Sequence, residues 1–249
     1  MSPRLGAPRL HLQRTDSTNE RARELVAGGA PHGTLVTAAE QTAGRGRQGR
    51  TWSAPTGSSL LLSLVLSPPS RMLPLAAAVA VCEAVDAAPG AEDRGAALIK
   101  WPNDIVLDRP PNLAKLAGIL VEARVQESWA VLGIGLNAAV EIDALPPPLR
   151  DTAATMGLDP AELEPLLASL LEILSDRLAE SPDRTLAAWA SRDALKGRRI
   201  EWAAPGGPAA GSGTADGIDG DGRLVVALDG GGQTTLSSGE VHLRTVRGS

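Results

Sequence analysis

Seven residues, Gly44-Arg45-Gly46-Arg47-Gln48-Gly49-Arg50, alternate glycine with fixed positive charge. Glycine lets backbone N–H groups approach a ligand closely, and guanidinium groups fork onto phosphate or carboxylate. The stretch therefore suits an anion; a solvated basic loop and an Arg-Gly tract for nucleic acid are the alternatives. Its arginines repel one another and its glycines cost entropy to order, so it reads as mobile until an anion arrives. Lys100-Trp101-Pro102-Asn103-Asp104 sets a cation, an amide and a carboxylate around a proline break, and Lys115-Leu116-Ala117-Gly118-Ile119-Leu120 opens an apolar run on a lysine. Ser17-Thr18-Asn19 offers neutral polar groups. Gly133-Ile134-Gly135-Leu136-Asn137 puts glycine inside a strand pattern, a mark of close backbone or ligand approach.

These groups need elements to hold them. Residues 34–39 and 59–66 are short apolar runs, so the arginine stretch is a connection between two buried strands. A first strand is expected over 10–14. Ser17 with Glu20 forms a capping-box pattern, and the helix that follows runs to about residue 26, closed by Gly28 and Gly29. Ser17 can cap that helix, and the helix start can also present N–H groups to a ligand. Residues 72–88 read as a buried helix. Strands follow on either side of Trp101-Pro102 and over 115–122 and 129–136. Pro146-Pro147-Pro148 is a linker, with helices expected over 160–178 and 184–195. After Gly197 the texture changes to five short alternating runs (199–202, 213–218, 224–228, 234–236 and 241–245), a small all-β unit such as an SH3-like barrel. Asp216, Asp219 and Asp221 lack the order of a calcium loop, and Asp219-Gly220-Asp221-Gly222 reads as a hairpin turn. The expected domains are 1–196 and 197–249.

Composition narrows the class. The 249 residues carry a net charge of −5, so positive charge is local to the loop and a general nucleic-acid binder is disfavoured. Phe and Tyr are absent and five Trp are the only aromatics, which removes Phe or Tyr platforms for bases. The lone cysteine, Cys82, lies in an apolar run and reads as a small buried hydrophobe; with one cysteine there is no internal disulfide. His11, His32 and His242 show no metal-ligand spacing. No charge-free run of 18 apolar residues and no signal-peptide core is present. The expectation is a soluble, cytoplasmic protein with no membrane partner.

The arginine-glycine stretch, Lys100-Trp101-Pro102-Asn103-Asp104 and Lys115-Leu116-Ala117-Gly118-Ile119-Leu120, in this order and spacing, resemble the biotin protein ligases. The resemblance runs from about residue 10 to the C-terminus, where Gly217-Ile218-Asp219 and Ser238-Gly239-Glu240-Val241 also fit. It is to the short, monofunctional form, without the N-terminal DNA-binding domain of the repressor type, so no DNA partner is expected. It implies an α+β fold: a central mixed sheet with flanking helices, similar to class II aminoacyl-tRNA synthetases, followed by the SH3-like β domain. It implies biotin as substrate and ATP and Mg²⁺ as cofactors, with biotinyl-5′-adenylate made first. A lysine of a biotin carboxyl carrier, such as that of acetyl-CoA carboxylase, then takes the biotin. A monomer or weak homodimer is expected.

By the same resemblance Ser17, Thr18, Asn19 and Gln41 hold the ureido ring, and Gly118, Gly133 and Gly135 leave room for the bicyclic ring and its tail. Arg45, Gly46 and Arg47 close over biotin and adenylate, and Arg50 serves the phosphates or the loop fold. Lys115 stands by the biotin carboxylate and the α-phosphate, where its charge offsets repulsion between two anions; a strand-edge lysine is the plain alternative. Trp52 stacks on adenine or plugs the core. Asn103 and Asn137 lie near base and phosphates. Asp104 orients the incoming lysine, helps hold Mg²⁺, or is only a turn residue. Ser58-Ser59 replaces glycines common in the family, and the stretch 108–114 is slightly long. The rival within the same chemistry is a lipoate ligase; outside it are a nucleic-acid module and a biotin-sensing repressor.

Overall fold

The computed structural model describes residues 4–203, 209–237 and 239–243. Ser238 and the end of the last expected strand, Arg244 and Thr245, lie outside the described residues. The chain opens with β1 (Arg9–Leu12), α1 (Thr18–Ala27) and β2 (Leu35–Ala38), followed by the two short strands of the arginine connection, β3 (Gly44–Arg45) and β4 (Thr51–Trp52). Next come β5 (Leu60–Leu66), α2 (Leu73–Ala87), the one-turn α3 (Ala91–Arg94), β6 (Leu98–Lys100) and β7 (Asp104–Arg109). β8 (Asn112–Arg124) is longer than expected at both ends, and β9 (Trp129–Leu136) matches its expected span. α4 (Pro147–Arg150), α5 (Leu163–Leu178) and α6 (Pro182–Ala190) complete this part.

The seven-stranded sheet has the order β1-β2-β5-β9-β8-β7-β6. Only β1 and β2 pair in parallel; the other ladders are antiparallel, so the sheet is mixed as expected. α1 covers one face, over Val36, Val65 and Val131. α2 lies on the other, between the sheet and α5 and α6. Between Leu73 and Val85 every residue of α2 but Pro74 and Glu83 is buried, which explains its run of mostly small apolar residues. Leu62, Leu64, Leu116, Leu132 and Leu136 are fully buried beneath it. Cutting one such leucine to alanine costs roughly 2–5 kcal/mol. Cys82 is part of this core, and burial pushes its thiol up to about 12.

β10 (Arg199–Ala203), β11 (Ala209–Ile218), β12 (Leu224–Leu228), β13 (Gln233–Leu236) and β14 (Glu240–Leu243) form an antiparallel sheet of order β13-β12-β11-β10-β14. The expected barrel is thus an open sheet: among the described residues no ladder joins β13 to β14. The Asp219 carboxylate accepts from the backbone N–H groups of Asp221 (3.0 Å) and Arg223 (2.9 Å), so this stretch is the turn of the β11–β12 hairpin. Among the described residues no helix is long and apolar enough to cross a membrane.

The start of α1 departs from the capping box. Ser17 makes no side-chain cap bond. Instead Gln41, in the connection after β2, accepts the N–H of Thr18 at 2.7 Å through Oε1. A non-local amide has taken the first orphan donor of the helix, and the Ser17 side chain lines the cleft described next.

Candidate active site

A cleft of ≈ 290 Å³ opens on the α1 face of the sheet, bounded by β8, β9, the β3–β4 connection and the loop between β6 and β7. Every residue singled out above lines it: Ser17, Thr18, Asn19, Gln41, Arg45, Gly46, Arg47, Arg50, Trp52, Asn103, Asp104, Lys115, Gly118, Gly133, Gly135 and Asn137. Gly239 and Val241 of the C-terminal sheet join them. The cleft has two chemically different ends.

One end is neutral and hydrogen-bonded. Ser17, Thr18 and Asn19 are buried. Thr18 Oγ1 lies 3.1 Å from Gln41 Oε1 and 2.8 Å from Ser63 Oγ, which in turn lies 2.6 Å from Asn19 Oδ1. The sequence reading missed Ser63, although a lone serine in the otherwise apolar strand Leu60–Leu66 was its signal. It also missed Glu122, whose Oε2 accepts from Asn19 Nδ2 at 2.8 Å.

The other end is charged. Lys115 Nζ stands 2.6 Å from Asp104 Oδ1 and 5.6 Å from the centre of the Trp52 ring. Burial lowers the pKa of the Arg47 guanidinium; Asp104 opposes that shift and Arg50 adds to it. Arg47, Arg50, Asp104 and Lys115 are therefore one electrostatic group. Between the ends lies Trp52, with its indole Nε1 buried and unpartnered.

The glycines here make room for protein side chains. A Cβ at Gly133 would stand 2.1 Å from Asn19 Oδ1, and one at Gly135 would stand 2.6 Å from Trp52 Cε2. At Gly118 the nearest atom is Trp52 Cζ3 at 3.2 Å. So the Asn19 carboxamide lies on Gly133, and the indole lies on Gly135 and Gly118. Asn19 and Trp52 pack over these glycines, and all three glycines still line the cleft.

The arginine connection is a short hairpin. Gly44 pairs with Trp52 and Arg45 with Thr51, and Gly46 N–H donates to Arg50 O at 2.7 Å. The tip turns through Gln48 (φ 56°) and Gly49 (φ 75°). Arg45 does not face the charged end: its Nη1 lies 3.0 Å from Glu20 Oε2 and 3.6 Å from Glu122 Oε1. These carboxylates offset the charge of Arg45, while Arg47 and Arg50 still repel each other, and they were invisible as partners at separations of 25 residues and more. Asn103 and Asn137 are likewise committed. Asn103 Nδ2 donates to Ile119 O at 2.8 Å, and Asn137 Nδ2 donates to Ala154 O at 3.1 Å. They brace the walls of the cleft. Among the described residues no cluster of three His, Cys, Asp or Glu could hold a metal ion. Among the described residues that line the charged end, Asp104 is the one carboxylate, and Lys115 stands on it.

A mixed sheet with flanking helices carries an arginine hairpin over a cleft with a neutral polar end, and the comparisons define its family. Residues 11–138 match the model of the Biotin/lipoate A/B protein ligase family, and the chain belongs to that family. Residues 197–244 match the Biotin protein ligase C terminal domain. The biotin–[acetyl-CoA-carboxylase] ligase of Mycobacterium tuberculosis is 36% identical over 251 residues, covering 94% of this chain and 88% of that one. The bifunctional ligase/repressor of Bacillus spizizenii is 40% identical over 148 residues, which span 56% of this chain and 43% of that protein. Among solved structures, the biotin protein ligase from Aquifex aeolicus in complex with biotin and ATP superimposes with a TM-score of 0.76 at 27% identity, covering 96% of this chain and 99% of that one.

Proposed function

We propose that this chain is a biotin protein ligase, which joins biotin to ATP as biotinyl-5′-adenylate and passes the biotin to a lysine of a carrier domain of a biotin-dependent carboxylase. The observation that carries this is the two-ended cleft. Biotin has a neutral ureido ring with two N–H groups and one carbonyl, and a carboxylate at the far end of its tail. Ser17, Thr18, Asn19 and Gln41 suit the first; Arg47, Arg50 and Lys115 suit the second once it meets the α-phosphate. A lipoate dithiolane offers no hydrogen bonds to this polar end and gains nothing from it, whereas the ureido ring can bond there.

In the first step the biotin carboxylate attacks the α-phosphorus and pyrophosphate leaves. Lys115 and Arg47 offset the charge that gathers there. Trp52 supplies an aromatic face for adenine. In the second step the carrier amine attacks the acyl carbon of the anhydride, and AMP leaves with the electron pair. Asp104 sets the direction of Lys115 and takes the proton of the incoming lysine, which attacks as the neutral amine. Magnesium is held mainly by the phosphates of MgATP with one or two protein carboxylates, and Asp104 is the cleft residue that would supply one. The cytoplasm, where carrier and ATP meet, is the proposed compartment.

The test is mass spectrometry of a carrier domain incubated with the full chain, MgATP and either biotin or lipoate. A mass increase with biotin alone is expected. A mass increase with lipoate alone, or with neither, overturns the assignment.

A further inference from the structure

We infer that Glu20, Arg23 and Glu122 are positioning residues that form a clasp on Arg45. The clasp fastens the first strand of the arginine hairpin to α1 and β8, so the hairpin opens at its tip and not at its root. This rests on the reading of the cleft as the place where an adenylate is made, and deepens it: a fastened root keeps the reactive anhydride in the cleft until a carrier arrives.

Four side-chain atoms alternate in sign around a ring. Arg45 Nη1 lies 3.0 Å from Glu20 Oε2 and 3.6 Å from Glu122 Oε1. Arg23 Nη1 lies 3.3 Å and 3.4 Å from the same two oxygens. Each nitrogen faces both carboxylates, and like charges stand at opposite corners. The ring joins three elements, with Glu20 and Arg23 on α1, Glu122 on β8 and Arg45 on β3. Of the four, Arg45 alone lines the cleft, so the others act on the cleft through it.

The backbone divides the hairpin at the same place. At the root, Thr42 N–H donates to Thr15 O and Ala43 N–H to Asp16 O, each at 2.9 Å. Beyond Arg45 the bonds stay within the hairpin: Gly46 N–H donates to Arg50 O, and Arg50 N–H to Arg47 O. A Cβ at Gly49 would meet nothing within 4 Å. The tip can therefore move without undoing the root.

An isolated, partly exposed ion pair adds little, but a network in which each charge faces two partners behaves differently. Neutralising Glu20 leaves two guanidinium groups on one carboxylate, and Arg23 then repels Arg45 across it. Neutralising Arg23 leaves Arg45 with two carboxylates and no competitor. Two substitutions one helical turn apart should thus have unlike effects, and the second should repair the first. With Glu20 and Arg23 both neutral, Arg45 and Glu122 remain as a plain pair.

The experiment uses the full chain in two arms, with the parent, Glu20→Gln, Arg23→Gln and the double variant. The first arm needs no ligand. Trypsin cuts after Arg45 only when that side chain leaves the clasp, and mass spectrometry times this cut against those after Arg47 and Arg50. Glu20→Gln is expected to speed the cut after Arg45 about fivefold, Arg23→Gln to leave it within about twofold, and the double variant to return toward the parent. The second arm supplies biotin and MgATP. Single-turnover pyrophosphate release reports synthesis, and biotin on albumin reports escape, since albumin lysines attack the freed anhydride and AMP leaves. Escape is expected to rise about fivefold in Glu20→Gln and to fall back in the double variant, with synthesis within about twofold throughout. Glu20→Asp is expected to lie between parent and Glu20→Gln, and carries the test if the glutamine variant does not fold. Equal cutting after Arg45 in parent and Glu20→Gln, or losses that add in the double variant, would overturn the clasp. A faster cut with unchanged escape would overturn its part in holding the adenylate. A parent chain that forms no adenylate would overturn the proposed function, while the trypsin arm still decides the clasp.

Discussion

Lys115 stands 2.6 Å from Asp104, so an anion arriving in the cleft competes with a carboxylate already in place. The pair is partly exposed, with Lys115 at 39% and Asp104 at 20% of full exposure. Such a pair adds little to stability. Lys115→Ala is therefore expected to keep the melting temperature of the parent. It removes a charge-assisted contact worth roughly 1.5–3 kcal/mol in a bound complex, and adenylate formation should fall at least about tenfold. Pyrophosphate release with biotin and ATP measures it. A rate within a few-fold of the parent would remove Lys115 from the chemistry.

At the scale of elements, the strands β8 and β9 present glycine where other side chains must lie flat. The clearance differs between two of these positions, and so should the response. A methyl at Gly135 meets three atoms of the rigid Trp52 ring between 2.6 and 2.9 Å, whereas at Gly118 the nearest ring atom is 3.2 Å away. Gly135→Ala must expel the indole from its seat; Gly118→Ala needs only a small shift. The expected result is a changed Trp emission spectrum and nucleotide affinity reduced by roughly tenfold or more for Gly135→Ala, with little change in either for Gly118→Ala. If both variants bind nucleotide as the parent does, the Trp52 seat has no part in the site. The hairpin from Gly44 to Trp52 belongs to the same scale. Its strands approach so closely that a Cβ at Gly44 would stand 2.5 Å from Trp52 O, which is why a glycine begins the ribbon.

The whole molecule is joined at the cleft. Trp101 is buried, and its Nε1 donates to Gly222 O of the β11–β12 hairpin at 3.0 Å. Asn103 and Asp104 follow it after Pro102, so the C-terminal sheet braces the loop that carries the charged end. Trp101→Phe leaves Gly222 O without this donor, at a cost of about 1 kcal/mol. A raised KM for ATP with an unchanged affinity for biotin is expected, since only the charged end is braced this way. An unchanged KM for ATP would separate the two sheets functionally. The connection between them holds a second test. Asp193 Oδ1 accepts the N–H of Leu195 at 2.8 Å, while Oδ2 is buried without a partner. Burial raises its pKa above the ordinary 3.8. Between the unfolded and the raised folded value the folded state holds more of the proton, so stability falls as pH rises through that window. Asp193→Asn should lack this loss. In urea titrations the variant should gain on the parent as pH rises from 4 toward neutrality, and a gap independent of pH would refute the assignment.

Much of this was present in the residues alone. Apolar runs, a proline break and the glycine pattern located the longer strands and helices to within about five positions, because strand and helix periods are local properties of the chain, while the short β3, β4 and α3 went unread and α4 lies on the expected proline linker. The motif residues were legible for the same reason: each motif is contiguous. What the sequence could not disclose is where partners lie. Asn19 meets Glu122 across 103 positions, and Trp101 meets Gly222 across 121. Gln41 displaced Ser17 as the helix cap, Glu20 and Glu122 drew Arg45 away from the charged end, and Asn19 and Trp52 packed over the glycines. The local sequence determined which groups exist and on which elements. Only the stacking of α1 on the sheet, and of the second sheet against the first, decided which of those groups touch, because contacts at such separations are created by packing and have no local signature.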